Sequence, residues 1–290
     1  AVDKQILFGE ESSYVRSPAS EVYTQIELDL IYAADNLPLV QTETGRVTKG
    51  AAQALLGKAY LYQEKFSEAA QALETVIQSG TYSLVTDYNT IFEAEGENST
   101  ESVFEVQYTD LEGAGFGCLQ CSEGNIAVGF SGVRNYEGPD FTSGFSFNVP
   151  VQELVNAYDS GDTRLESTIL DIEAFVSTRP DVTYNLGAEH TGYFNKKYIP
   201  YADDIVLQDQ NINRSNNYRA IRYVDVLLMA AEANLQASVQ KDNPQDLLDQ
   251  VRDRAFGDSN NRITASLENI LNERRLELAM EGHRFFDLVR

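Results

Sequence analysis

The stretch 266–290 reads SLENILNERRLELAMEGHRFFDLVR. Steps of three and four residues along it pass through Leu267, Leu271, Arg274, Leu278, Glu281, Phe285 and Leu288. That spacing puts all seven on one face of an α-helix. Five are large and apolar, which predicts a buried face. The other two, Arg274 and Glu281, lie two turns apart, and a buried charge needs a partner. Glu277, Glu281 and Arg284 sit three or four residues from their neighbours, so part of the pairing is local. The reading is one buried helix laced by structural ion pairs of Arg274, Glu277, Glu281 and Arg284. The competing reading is a solvated face with stray charges. The apolar positions on both sides keep register, which weighs against it.

Upstream, Ile221, Val224, Leu228, Ala231 and Leu235 form a clean helical stripe over 217–235. Asp225 or Glu232 on this helix is a candidate partner for Arg274 or Arg275. A further helix, LLDQVRDRAFG, closes at Gly257. Residues 216–290 therefore read as C-terminal helices. Near the other end, Ser17 and Pro18 mark a helix start, and Val22, Ile26, Leu30, Ala33 and Leu37 make its stripe before Pro38 stops it. From Thr48 a helical hairpin follows. Gly57, Tyr60, Phe66, Ala69, Leu73 and Val76 have the spacing of a tetratricopeptide repeat, and Gly80 caps the second helix. An ordinary αα-hairpin is the alternative. Residues 17–80 are read as tetratricopeptide-like helices, and 1–16 show no period.

The middle of the chain differs. Residues 87–93 suit a short helical turn, 95–101 an acidic loop, and 103–108 alternate as a strand. Residues 110–148 hold many glycines with Phe116, Phe130, Tyr136, Phe141, Phe145 and Phe147 between them. Long helices are disfavoured there, and ordered loops of such length are commonly functional. A sugar-binding surface needs flat aromatic faces for the C–H side of a pyranose and polar groups for its hydroxyls. The candidate ligand-binding residues are Phe116, Asn125, Phe130, Arg134, Tyr136, Glu137, Asp140 and Phe141. The alternative for each aromatic is that it pins the loop onto the helices. From Pro150 the run PVQELVNAYDSGDTRLESTIL reads as a helix, with Asp162 and Arg164 bracing a turn at its end. Residues 180–210 mix turns and short strands. Asp203, Asp204 and Asp209 are read as solvated acids rather than a calcium loop, because the EF-hand pattern is absent. The whole of 109–210 is the irregular, ligand-binding region.

The terminal NERRLELAMEGHRFFDLVR resembles the C-terminal signature of the SusD/RagB family, the outer-membrane nutrient-binding lipoproteins of Bacteroidetes. The match runs through Asn272, Glu273, Arg274, Arg275, Glu277, Glu281, Gly282, His283, Arg284, Phe286, Asp287 and Arg290. VTKGAAQALLGKAYLYQEKFSEAAQALETVIQSGTYSL, RYVDVLLMAAEANL and the Gly161–Asp162–Thr163–Arg164 turn resemble the family too. The resemblance implies a single SusD-like domain over 1–290: mainly α, with tetratricopeptide-like hairpins, a long irregular loop region and a few short strands. It implies a non-catalytic, surface-exposed lipoprotein that captures a glycan and hands it to a SusC-like TonB-dependent outer-membrane transporter. Family precursors carry a lipoprotein signal and an earlier helical segment. Neither is visible here, so the chain reads as a piece trimmed at both ends, touching the membrane only through an anchor outside it. One departure is the absence of tryptophan, which relatives that bind starch-like glycans commonly use for stacking.

Composition bounds the rest. The 290 residues are 42% hydrophobic and 10% aromatic, an ordinary globular mixture. A formal net charge of -23 disfavours nucleic acid and anionic membrane surfaces as partners. No apolar run of about eighteen residues exists to span a membrane. Cys118 and Cys121 form one CxxC, too few ligands for zinc beside two distant histidines, and are either free thiols or a local disulfide. No metal or other cofactor is expected. No G-x-S-x-G, phosphate-cradling loop or H-E-x-x-H occurs, and His283 is read as structural. Two other classes stay open: a tetratricopeptide-type scaffold, or a binder of peptides or glycoproteins, and a glycoside hydrolase built on two carboxylates.

Overall fold

The computed structural model describes residues 9, 16–185, 187, 190–204 and 208–290. Most of the stretch 1–16, read as lacking a period, lies outside these residues. Helix α1 (Ala19–Asn36) ends where Leu37 turns extended ahead of Pro38. Thr48 caps α2 (Lys49–Leu61), its hydroxyl accepting from the Ala51 N–H at 3.2 Å. Helix α3 (Phe66–Gln78) completes the hairpin, and Gly80 follows it in the left-handed region at φ 64°. The hairpin is close-packed because Gly57 has no side chain. A Cβ there would lie 2.5 Å from Cγ of buried Leu73.

Strand β1 (Ser102–Val106) leads into the irregular region, which carries only short elements. These are α4 (Ile126–Ser131), α5 (Gln152–Val155), α6 (Arg164–Thr168), β2 (Ile169–Asp171), α7 (Ile172–Ser177) and β3 (Tyr193–Asn195). The single helix read from Pro150 is thus two short ones. Gly161 at φ 87° interrupts it with a left-handed turn. Strand β4 (Tyr218–Arg222) pairs antiparallel with β1, and β2 pairs antiparallel with β3.

The chain then returns to helices: α8 (Tyr223–Gln236), α9 (Pro244–Phe256), α10 (Leu267–Glu277) and α11 (Arg284–Val289). Helix α8 is buried from Tyr223 to Asn234 on all sides, as a central helix must be. It packs against α3, α9 and α10, and these form the main core with Leu73, Val76, Leu227, Leu248, Val251 and Ile270. A second core under the irregular region holds Val133, Tyr136, Phe141, Leu170, Ile172, Phe194 and Ile199. The architecture is mainly α with two small two-stranded sheets.

The terminal stretch departs from the single-helix reading. Met280 (φ 68°) and Gly282 (φ 86°) are left-handed, so the helix stops at Glu277 and restarts at Arg284. The buried residues of α10 are Ile270, Glu273, Arg274, Leu276 and Glu277, so of the stripe read from the sequence only Arg274 on the helix, and Leu278 and Glu281 past its end, are buried. Leu267 is exposed, and so are Phe285 and Leu288 beyond the break. Arg284 is exposed and, among the described residues, makes no ion pair. It lies past the break that separates it from Glu277 and Glu281.

Candidate ligand-binding surface

Three of the five buried positions on α10 are charged, and buried ion pairs account for them. Arg164 reaches Asp162 at 2.6 Å, Glu273 at 2.6 Å and Glu277 at 3.0 Å. Arg222, the last residue of β4, reaches Glu101 at 2.5 Å, Glu277 at 3.0 Å and Glu281 at 2.8 Å. Arg254 bonds Glu277 at 2.7 Å and Glu101 at 3.2 Å. Arg252 bonds Glu273 at 3.1 Å, and Lys197 bonds Glu281 at 2.7 Å. The faces of Tyr88 and Phe92 cover the cations: Lys197 Nζ lies 4.8 Å from the Phe92 ring and the Arg254 guanidinium 4.8 Å from Tyr88. Arg164 and Lys197 belong to the irregular half and Glu101 lies just before β1, while Arg254, Glu273 and Glu277 sit on the C-terminal helices. The network therefore fixes the irregular half on the helical platform.

A second group ties α11 to the core. Arg274 bonds Asp225 at 2.7 Å and Asp287 at 3.2 Å, and Arg290 bonds Glu232 at 2.8 Å. Arg275 turns outward to Glu153 at 3.0 Å. His283 is buried beside Asp225 and Lys58, and burial pushes its pKa down.

On the surface of the irregular half, four phenylalanine rings meet. Phe130 lies edge-on to Phe145 at 5.1 Å and to Phe147 at 5.7 Å, and Phe116 meets Phe145 at 6.3 Å. Phe116 is 50% exposed and Phe147 is 53% exposed, in a chain with ample apolar core. Backbone bonds hold the ring-bearing segments together. The Phe147 N–H donates to the Phe130 carbonyl at 2.9 Å, and Ser146 N–H to the Gly132 carbonyl at 2.8 Å. Gly144 permits this approach, since a Cβ there would fall 2.3 Å from the Gly129 carbonyl oxygen. Arg134 borders the cluster, its Nη2 donating to the Phe145 carbonyl at 2.8 Å and its N–H to Ser146 Oγ at 2.9 Å.

The model of the SusD family matches residues 100–290. The chain belongs to the SusD family. A laminarin binding SusD-like protein of known structure superposes with a TM-score of 0.86 at 39% identity, over 97% of this chain and 63% of that one. Surface glycan-binding protein A from Bacteroides thetaiotaomicron, solved in complex with laminarihexaose, gives a TM-score of 0.84 at 29% identity over 93% and 61%. The SusD-like protein P2 of Formosa agariphila is 27% identical over 295 residues, which is 95% of this chain and 57% of that protein. The chain spans less than two thirds of the length of each.

Within this SusD-family chain the eight candidate ligand residues separate. Phe116, Phe130 and Arg134 come together at the ring cluster. Tyr136 and Phe141 do not join them: at 5% and 6% exposed they pack in the second core, 5.4 Å apart. The correction has a physical reason. Phe141 also meets Phe175 and Tyr201; burial, together with Asp140 accepting from the Tyr136 hydroxyl at 3.1 Å, pushes that phenol up to about 12. Asp140 is itself occupied by Arg179 at 2.7 Å, which lowers its pKa. Asn125 is buried, its side chain capping α4 at Ala127 and donating to the Asn216 carbonyl at 2.9 Å. Glu137 is exposed and pairs its backbone with Thr183. Phe145 and Phe147 complete the cluster and were left out of the candidates. Their i, i+2 spacing next to glycines is the signal that could have singled them out. Cys118 and Cys121 are joined as a disulfide. Asp204 faces Arg214 at 3.5 Å, and among the described residues no three His, Cys, Asp or Glu side chains could hold a metal ion together.

Proposed function

We propose that this chain is the carbohydrate-capturing part of a cell-surface SusD-family lipoprotein, which takes a neutral β-glucan at the Phe116–Phe130–Phe145–Phe147 surface and delivers it to a SusC-like TonB-dependent outer-membrane transporter. The observation that carries the reading is the likeness, at 39% identity over 97% of the chain, to a laminarin binding relative. Four clustered phenyl rings offer the flat apolar faces that pyranose C–H groups require, and take over where tryptophan is absent. Arg134 and the loop amides supply hydroxyl partners. The role is capture without hydrolysis. Glu101, Glu273, Glu277 and Glu281 are each held by arginine or lysine and closed off from solvent, out of a sugar's reach.

Isothermal titration of laminarin into the protein tests this. Binding with no release of reducing ends is expected, weakened about tenfold or more by F116A and by F147A. Both rings are half exposed, so the melting temperature should hardly move. Reducing-sugar release would overturn the capture reading. Failure to bind laminarin or any glycan of a soluble panel would favour the protein or peptide scaffold.

A further inference from the structure

Phe116 stands between Gly115 and Gly117, so its own backbone does little to fix it. Two devices outside it do. At the base of the loop 114–122, buried Asn213 holds both ends. Its side chain accepts from the Ala114 N–H at 3.1 Å and donates to the Ala114 carbonyl at 2.8 Å, and the Ser122 hydroxyl meets its Oδ1 at 3.2 Å. Ser122 also donates to the Ile212 carbonyl at 2.6 Å. Nearer the tip, Cys118 and Cys121 are covalently joined. Successive turns link them to the ring: Cys118 N–H donates to the Gly115 carbonyl at 3.0 Å and Cys121 N–H to the Cys118 carbonyl at 3.0 Å. The other three rings sit on 129–147, where backbone bonds and the second core place them without help from this loop.

We infer that the Cys118–Cys121 disulfide and Asn213 are positioning residues for the ligand surface: they hold Phe116 against Phe145 and so complete the four-ring platform. This rests on the ligand reading given under Proposed function. In the oxidising environment of a cell surface the bond persists. Its reduction removes one ring from the platform and leaves three.

The test is a double-mutant cycle on laminarin affinity. C118S with C121S should weaken binding as much as F116A does, about tenfold. Adding F116A to the serine pair should weaken it no further, because the ring is already displaced. Asn213→Ser should act in the same direction. Wild-type affinity in the serine pair, or losses that multiply, would overturn the inference. A parallel measurement does not depend on any glycan. Ring-to-ring nuclear Overhauser contacts between Phe116 and Phe145 should be present in the wild type and lost in the serine pair, while those between Phe130 and Phe145 persist. If Phe116 contacts survive without the disulfide, the positioning role fails. If they vanish but laminarin never binds the wild type, the loop reading stands and the glycan reading falls.

Discussion

Glu277 is the residue on which the two halves of the molecule meet. Its carboxylate lies within 3.0 Å of Arg164 and Arg222 and 2.7 Å of Arg254. Burial alone would raise its pKa. Arg254, Arg222 and Arg164 overcome that and hold it well below the carboxylate range. Glutamine keeps the shape and removes the charge, leaving buried cations underpaired. E277Q should therefore lose about 3–5 kcal/mol in urea unfolding, while an exposed acid such as Glu268 changed to glutamine should lose almost nothing. The pH dependence has a definite sign. A carboxylate with a lowered folded pKa adds stability that is complete above its unfolded pKa, 4.5 for Glu277, and is lost as pH falls below it. Glu281 is lowered likewise, against its own burial, by Arg222 and Lys197. Wild-type stability should thus fall steeply below about pH 4.5, and E277Q should show a shallower fall. Equal slopes in the two proteins would mean that Glu277 is not a source of the acid sensitivity. The charges of this network were legible as a demand for partners. Asp225 as the partner of Arg274 was legible too, as one of two acids on a helical stripe. The links from Glu277 to Arg164, Arg222 and Arg254 were not, because partners 23 to 113 residues apart leave no periodic trace.

Elements were legible where period and punctuation agreed. The hairpin of α2 and α3 follows from Thr48, Gly57, Phe66, Leu73 and Gly80, and α8 from the part of its stripe that starts at Val224; the helix read from 217 is corrected, since Tyr218–Arg222 with Ile221 is strand β4, paired with β1. The terminal helix misled because apolar spacing continues through Met280 and Gly282, whose left-handed backbone breaks it. The period was real, but the inward face carries the ion-paired Glu273, Arg274 and Glu277 together with Ile270 and Leu276, and leaves Leu267 outside. At the hairpin the sequence pattern makes a sharper claim. Gly57 lies inside a helix, where alanine would gain about 1 kcal/mol in propensity. It also faces Leu73, with 2.5 Å of room for a Cβ. Overpacking of a buried leucine costs about 1–3 kcal/mol, so G57A should destabilise despite its better propensity. Leu73→Ala should itself cost about 2–5 kcal/mol by leaving a cavity. In that background G57A should change sign and stabilise by about 1 kcal/mol, since the obstruction is gone and the propensity gain remains. Chemical denaturation of the four proteins measures this. A G57A penalty that is the same in both backgrounds would show that close contact with Leu73 is not why glycine stands there.

At the scale of the whole molecule, the irregular half shows what composition alone leaves open. Glycines and aromatics marked 110–148 as a surface candidate, but ring exposure has no sequence period there. Phe147 and Tyr136 read alike until the second core takes one of them. Charge, by contrast, is a property of the entire chain. The central network balances Arg164, Lys197, Arg222, Arg252 and Arg254 against Asp162, Glu101, Glu273, Glu277 and Glu281. The net charge of -23 therefore lies outside it, largely on solvated faces where like charges repel. Salt separates the two populations. Between about 10 mM and 0.5 M NaCl the screening length falls from roughly 30 Å to a few Å, which weakens surface repulsion and barely reaches buried pairs. The melting temperature at pH 7 should rise with salt, by about 2–5 °C if screening is worth about 1–2 kcal/mol. E277Q should melt lower than wild type by the same interval at both salt concentrations, because its lost partners are inside. Calorimetry decides the matter. A melting temperature that falls as salt is added would mean that exposed pairs such as Arg262–Asp253, and not the surplus of acids, dominate the surface energetics.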